Sequence, residues 1–292
     1  MKRASFLHAV VFVFAATVFA NEARAQQPEQ RTGAEAKALR DRGLDYFGAG
    51  RFEAAVEVFR QAIRVRPDYA QAYNDLGMAH VRLNQLADAI EQFRRAIDLN
   101  PVLAEAYYNL GTAYYNMDRL DDAIRPFERA ISLRPQYPWA YNNLGVVYYE
   151  QGRYPLAIDA FKEALNLKPD WVEAHCLLAL AYYESDQNLK AIESLKRAVH
   201  LNPGYAAARN SLGVVLYRSK RYVEAAAEFR EAVRIEPIHA VAIYNLAVTN
   251  LARRQRDTAL AQYALLKTLS RDLAEKLYAG IHSGMLLNVR TK

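Results

Sequence analysis

Side chains that transfer protons, attack carbonyls or hold metals are sparse in this chain. Beyond residue 25 the histidines are His80, His175, His200, His239 and His282, and the single cysteine is Cys176. No two of these histidines stand four residues apart, the spacing that places two imidazoles on one helix face around zinc. Cys176 follows His175 directly, and consecutive residues of a helix point in different directions, so adjacency makes no dyad. His80 and His175 occupy places that are aromatic elsewhere in the chain, which reads them as core histidines. Neither a glycine-rich phosphate loop nor a serine nucleophile elbow is present. The expectation is a protein that is not an enzyme and needs no metal or cofactor.

Asparagine and tyrosine recur instead, and their chemistry is recognition. One row reads Arg40, Asn74, Tyr108, Asn142, Cys176, Asn210, Tyr244, and the next position reads Asp41, Asp75, Asn109, Asn143, Leu177, Ser211, Asn245. A third row reads Phe47, Val81, Tyr115, Tyr149, Tyr183, Tyr217, Leu251. Asparagine amides donate to and accept from a peptide backbone without regard to its sequence. Tyrosine offers flat apolar area with a polar tip.

These rows share one interval. Pro67, Pro101, Pro135, Pro169, Pro203 and Pro237 are 34 residues apart every time. Ala55, Ala89, Ala123, Ala157, Ala191, Ala225 and Ala259 keep the same step. So do Gly43, Gly77, Gly111, Gly145 and Gly213, with Ala179 and Ala247 in the missing places. Phe59, Phe93, Phe127, Phe161 and Phe229 form a fourth row, completed by Leu195 and Tyr263. Within one period Tyr107, Leu110, Gly111 and Tyr114 fall on one face of a first helix, and Ala123, Phe127 and Ala130 on one face of a second. Gly50, Asn84, Asp118, Gly152 and Asp186 tolerate the left-handed backbone that ends a first helix. Lys220 and Arg254 stand there in the last two periods, so that cue is absent. Pro126 lies inside a predicted second helix and should kink it, whereas Pro155 suits a helix start.

The pattern of aromatic, Leu-Gly, Tyr, Ala, Phe, Ala and Pro, met here as Tyr107, Leu110, Gly111, Tyr114, Ala123, Phe127, Ala130 and Pro135, resembles the tetratricopeptide repeat family. The resemblance implies an all-α, right-handed superhelical solenoid of about seven repeats, at 36–69, 70–103, 104–137, 138–171, 172–205, 206–239 and 240–273. Its terminal repeats face water, which suits the departures at Arg42, Asn250, Leu266 and Arg271. A helix near Asp272–Ile281 is expected to cap the last repeat, with cap and tail over 274–292.

The resemblance also places the asparagine and tyrosine rows on the concave surface, as the lining of a groove for an extended peptide. The candidate groove residues are Arg40, Asn74, Asp75, Met78, Arg82, Tyr108, Asn109, Tyr115, Trp139, Asn142, Asn143, Tyr149, Tyr183, Asn210 and Tyr217. The asparagine row is similar to the ladder in the helical domain of O-linked N-acetylglucosamine transferases. Two readings of these rows stay open, a peptide-binding groove and a generic consensus surface. Trp139 likewise reads as a groove anchor or as packing at a repeat junction. Arg40 could stand in for one lysine of the family's chaperone-tail clamp, but Leu44 takes the paired asparagine's place, so that motif is not expected as a ligand. The partner is one or more proteins or peptides; the alternative is a scaffold that self-associates through its outer faces, with Met285-Leu286-Leu287 as a contact.

Composition fits this reading. The chain has 292 residues, 52% hydrophobic and 24% charged, with one Cys and therefore no intramolecular disulfide. Lys2 and Arg3 precede an uncharged apolar run over 6–20, and Ala23-Arg24-Ala25 forms a small-x-small site. This is the layout of a secretory signal peptide over 1–25. Cleavage after Ala25, cleavage after Ala20 and retention as an anchor all stay open. The run is short for a membrane span of ~20 residues. The implied place is the periplasm of a Gram-negative bacterium or the outside of the cell, with residues 26–35 as a flexible leader. Without residues 1–25 the chain has 35 basic and 31 acidic side chains, a net charge of +4. At the groove positions Lys37, Arg40, Arg82 and Arg218 face Asp41, Asp75, Glu105, Glu150, Glu173 and Glu184. A nucleic-acid groove should be basic, so nucleic acid is not an expected partner.

Overall fold

A computed structural model describes residues 32–283, and the signal segment and Met285-Leu286-Leu287 lie outside them. Among the described residues every regular element is a helix. Helix α1 spans 32–48. It is followed by α2 (Phe52–Val65), α3 (Ala70–Arg82), α4 (Leu86–Leu99), α5 (Ala104–Asn116) and α6 (Leu120–Leu133). These six form a first unit that ends at Pro135. The second unit holds α7 (Pro138–Glu150), α8 (Tyr154–Leu167), α9 (Val172–Glu184), α10 (Asn188–Leu201), α11 (Ala206–Arg218), α12 (Tyr222–Ile235), α13 (Ala240–Ala252), α14 (Arg256–Leu269) and α15 (Arg271–Ser283). Each unit stacks helix pairs, the first helix of a pair touching its own second helix, the second helix before it and the next first helix. This is an all-α repeat solenoid.

The helices start and stop for local reasons. At the end of each second helix from α2 to α12 the residue before proline is extended, as at Arg66 (φ −135, ψ 92) and Arg134 (φ −135, ψ 87). Proline forces that choice on its predecessor, and the helix stops. At the end of each first helix the chain reverses through one left-handed residue. The following N–H then reaches back five residues, from Arg51 to the Tyr46 carbonyl, from Arg153 to Tyr148, and from Gln255 to Asn250. Gly50 and Gly152 take positive φ without cost. Lys220 (φ 61) and Arg254 (φ 60) adopt the same conformation without the residue type that favours it. The surrounding stack dictates the turn, at ~1–2 kcal/mol of backbone strain per side chain. Helix α6 runs through Pro126, which is buried within it, and Pro155 stands at the start of α8.

One end differs from the sequence expectation. Helix α1 opens by residue 32, inside the expected leader, because Ala34, Glu35, Ala36, Lys37 and Ala38 are strong helix formers. Helix α15 opens at Arg271, directly after an extended Ser270, and closes the stack against α13 and α14 through Ala274, Leu277 and Ile281.

The core of each pair is one close approach. Phe59, Phe93, Phe127, Phe161 and Phe229 are fully buried. Each ring lies against the glycine of its own first helix. A Cβ built on Gly43, Gly77, Gly111, Gly145 or Gly213 would meet that ring at 2.4–2.8 Å. Where alanine replaces the glycine, the ring changes as well. Ala179 faces a pair whose buried residue is Leu195, and in the last pair Ala247 goes with Tyr263, half-buried and 5.6 Å from Tyr278 of α15.

Two predictions follow from this packing. Gly145→Ala overpacks the pair and should lower stability by about 1–3 kcal/mol; adding Phe161→Leu should recover part of the loss, so that denaturation of the single and double variants gives a favourable coupling. Lys220→Gly relieves the left-handed strain and should raise the unfolding free energy by about 1 kcal/mol in the same assay.

Candidate functional site

The two amide rows lie on the first helices, one residue apart, and the structure joins them across repeats. In the first unit Arg40 Nε of α1 donates to Asp75 Oδ2 of α3 at 2.5 Å. Asn109 Nδ2 of α5 donates to Asn74 Oδ1 of α3 at 2.9 Å. In the second unit Asn245 Nδ2 of α13 donates to Asn210 Oδ1 of α11 at 3.0 Å. Each rung joins residues 35 apart, one more than the repeat, because the neighbouring helix presents its next position. Asn74, Asp75, Asn142 and Asn210 are all buried. Burial pushes the Asp75 carboxyl up from its ordinary range, while the Arg40 guanidinium pulls it down. The sequence reading offered these amides to a ligand; Asn74, Asn109 and Asn210 of that set bond one repeat to the next.

One rung is broken. Asn142 of α7 is 8% exposed, and its counterpart on α9 is Leu177, which has no donor. Asn142 Oδ1 has no hydrogen-bond partner, and its Nδ2 has only Asn143 Oδ1 at 3.4 Å.

The tyrosine row is placed differently. Tyr115, Tyr149, Tyr183 and Tyr217 are half-buried near the C-terminal ends of their helices. Tyr149 and Tyr217 pack on Tyr154 and Tyr222 at 5.7 and 5.2 Å between ring centres. Burial pushes the phenols of Tyr149 and Tyr217 up, with Glu184 adding to the effect at Tyr149, so both are neutral donors at pH 7. The Arg218 guanidinium lies 4.6 Å from the Tyr183 ring centre and is held by Asp186 at 2.5 Å. In the first unit Arg82, at the corresponding place, covers Phe52 at 4.3 Å and Phe47 at 5.8 Å. Met78 Sδ is 3.9 Å from Asn74 Nδ2, and Tyr108 packs against Phe127. Trp139 is 47% exposed and also packs at the junction, 6.3 Å from Trp171, with Lys168 Nζ over both indoles at 5.4 and 4.9 Å.

The groups with catalytic potential have structural work. His80 is buried, and its Nδ1–H donates to Gln85 Oε1 at 2.6 Å. His175 Nε2 meets the Pro169 carbonyl at 2.9 Å, and burial lowers its pKa. His239 Nδ1 accepts the Ala242 N–H and caps α13. Burial pushes the Cys176 thiol up to about 11, so it is not a thiolate at neutral pH. Among the described residues no three His, Cys, Asp or Glu side chains group as metal ligands. An open cavity of about 490 Å³ beside α4 is lined by Tyr73 and by one face of α4 that includes Ile90, Glu91, Arg94 and Asp98, and by none of the row residues.

Family models described as tetratricopeptide repeat match residues 40–104 and 176–238, and residues 102–170 and 138–201, so the matches run without a break from 40 to 238. The chain belongs to the tetratricopeptide repeat family. Among solved tetratricopeptide repeat structures, YrrB, described as having an unusual peptide-binding site, is 27% identical with a TM-score of 0.56, over 65% of this chain and 98% of that one. MamA from Desulfovibrio magneticus is 25% identical with a TM-score of 0.55, over 58% and 96%. PilF of Pseudomonas aeruginosa shares the fold at 21% identity and a TM-score of 0.61, over 72% and 96%. No curated protein matches the sequence.

The broken rung gives a direct test. Leu177→Asn supplies the missing donor to Asn142 Oδ1 and should stabilise the repeat protein by about 1 kcal/mol; a loss of stability on denaturation would show that the rungs do not add to the stack.

Proposed function

We propose that this repeat protein is a non-enzymatic binding module whose second unit holds an extended peptide segment of a partner protein against α7, α9 and α11. The observation that carries the reading is the row Tyr149, Tyr183 and Tyr217, half-buried at one position of three successive repeats. On α9 the amide positions hold Cys176 and Leu177, and on α11 Asn210 is bonded to Asn245, so the phenols are the polar groups that recur on all three helices. A neutral phenol donates to a backbone carbonyl, and its ring packs on the side chains that alternate with it. Glu150, Glu173 and Glu184 flank the row, with Arg218 as its cation, and this balance favours a peptide of neutral or positive charge over a polyanion. Direct packing of α7 on α9 and of α9 on α11 sets the phenols in place beforehand, so that binding orders the ligand rather than the site. The likeness to YrrB, itself described as peptide-binding, points the same way. Asn143 and Trp139 border the row and extend the contact toward the start of α7.

Export completes the proposal. Lys2 and Arg3, the apolar run over 6–20 and Ala23-Arg24-Ala25 support processing to a mature chain that works in the cell envelope or outside the cell. Among the described residues no helix is long and apolar enough to cross a membrane.

The test is a peptide selected from a random library on the wild-type chain. Tyr183→Ala should weaken its binding by about tenfold or more, as hot-spot truncations do, with the helical circular dichroism unchanged. Equal affinity of the wild type and the variant would remove the tyrosine row from the site.

A further inference from the structure

We propose that one edge of the second unit, formed by the turns that follow α9, α11 and α13, docks on an anionic lipid surface. First helices of neighbouring repeats touch one another, α9 with α11 and α11 with α13, so these turns share one end of the stack. The residues just inside the next helices, Leu189 on α10 and Val223 on α12, are 78% and 66% exposed. The same position in the first unit holds Glu53, Ala87 and Asp121. The apolar character is therefore particular to this stretch and is not a demand of the repeat.

Cations accompany these side chains. Lys190, Lys220, Arg254 and Arg256 are exposed and make no ion pair among the described residues. Two acids of the edge are already neutralised, Asp186 by Arg218 at 2.5 Å and Glu224 by Arg221 at 2.7 Å. Glu184 and Asp257 are the acids that remain against the four cations. Lys220 and Arg254 are also the two side chains held at positive φ where glycine, asparagine or aspartate stands in earlier repeats. The sequence thus keeps cations at the turn tips against the backbone's preference, and strain of this kind marks function more often than chance. Helices α10, α12 and α14, like the other second helices, begin without a side-chain cap, so their first amide N–H groups are open to lipid phosphate at this edge.

The shape of the edge selects the partner. Leu189 and Val223 project from helix ends and are not sunk in a recess. A protein covering them needs a matched pocket for each, whereas the boundary between headgroup and acyl chain accepts any projecting apolar side chain. Cations beside them meet the lipid phosphates.

The experiment is co-sedimentation of the full chain with vesicles of phosphatidylcholine alone and of phosphatidylcholine with roughly a third phosphatidylglycerol. All variants share the N-terminal apolar run with Lys2, Arg3 and Arg24, so the difference between variant and wild type on the anionic vesicles reads the edge. Wild type should prefer the anionic vesicles, and added salt should reduce the preference. Lys220→Gly with Arg254→Gly should weaken anionic binding by about fivefold per cation removed while raising the melting temperature; damage to the fold would lower both. Leu189→Gln with Val223→Gln, at largely exposed sites, should remove binding and leave melting close to wild type. Equal binding to both vesicle types, unchanged binding in either double variant, or capture of polyglutamate without capture of anionic vesicles would each overturn the proposal.

Discussion

The contact on which each unit depends is a phenylalanine ring laid against a glycine. The second helix can approach the first closely only because Gly43, Gly77, Gly111, Gly145 and Gly213 carry no Cβ, and the ring fills all the space that this creates. Glycine inside a helix costs about 1 kcal/mol relative to alanine, and the buried ring offsets that cost many times over. The pairs with Ala179 and Ala247 obey the same rule in reverse. A larger residue on the first helix goes with Leu195, or with a tyrosine that is half-buried rather than enclosed.

Once the pairs are closed, the first helices stand side by side and the next constraint is register. Arg40–Asp75, Asn74–Asn109 and Asn210–Asn245 are polar contacts within a buried seam. A mismatched neighbour leaves a buried polar atom without a partner, which costs more than the bond itself gains. The seam therefore specifies alignment as well as stabilising it, and Asn142 beside Leu177 shows its result when one side is apolar. The same helices then carry two kinds of side chain on adjacent stripes: amides that bind the stack together and tyrosines that remain half-open.

Much of this fold was legible in the sequence because repetition turns weak local signals into strong ones. A single Pro67 or Gly77 means little, but rows at a fixed interval of 34 can only be one supersecondary unit repeated. The turn at Lys220 and Arg254 was not legible from residue type, since the stack imposes the backbone that glycine supplies elsewhere. The amides were legible as a row but not as rungs. A residue that donates to a peptide and one that donates to the next helix look alike when read singly. The signal was a pairing at 35 residues rather than 34: polar with polar at 40 and 75, 74 and 109, 210 and 245, and polar with apolar at 142 and 177. The exposed edge at Leu189 and Val223 was hidden because a period-averaged reading suppresses positions that change from repeat to repeat.

The central claim is that the two stripes divide the work, amides for cohesion and tyrosines for binding. Measuring thermal unfolding and affinity for a selected peptide side by side in Asn210→Ala and Tyr217→Ala tests it most directly. The account predicts a crossed result: Asn210→Ala melts lower and binds as wild type below its melting point, whereas Tyr217→Ala melts close to wild type and binds weakly. Weak binding by Asn210→Ala at full helicity, with undiminished binding by Tyr217→Ala, would contradict it.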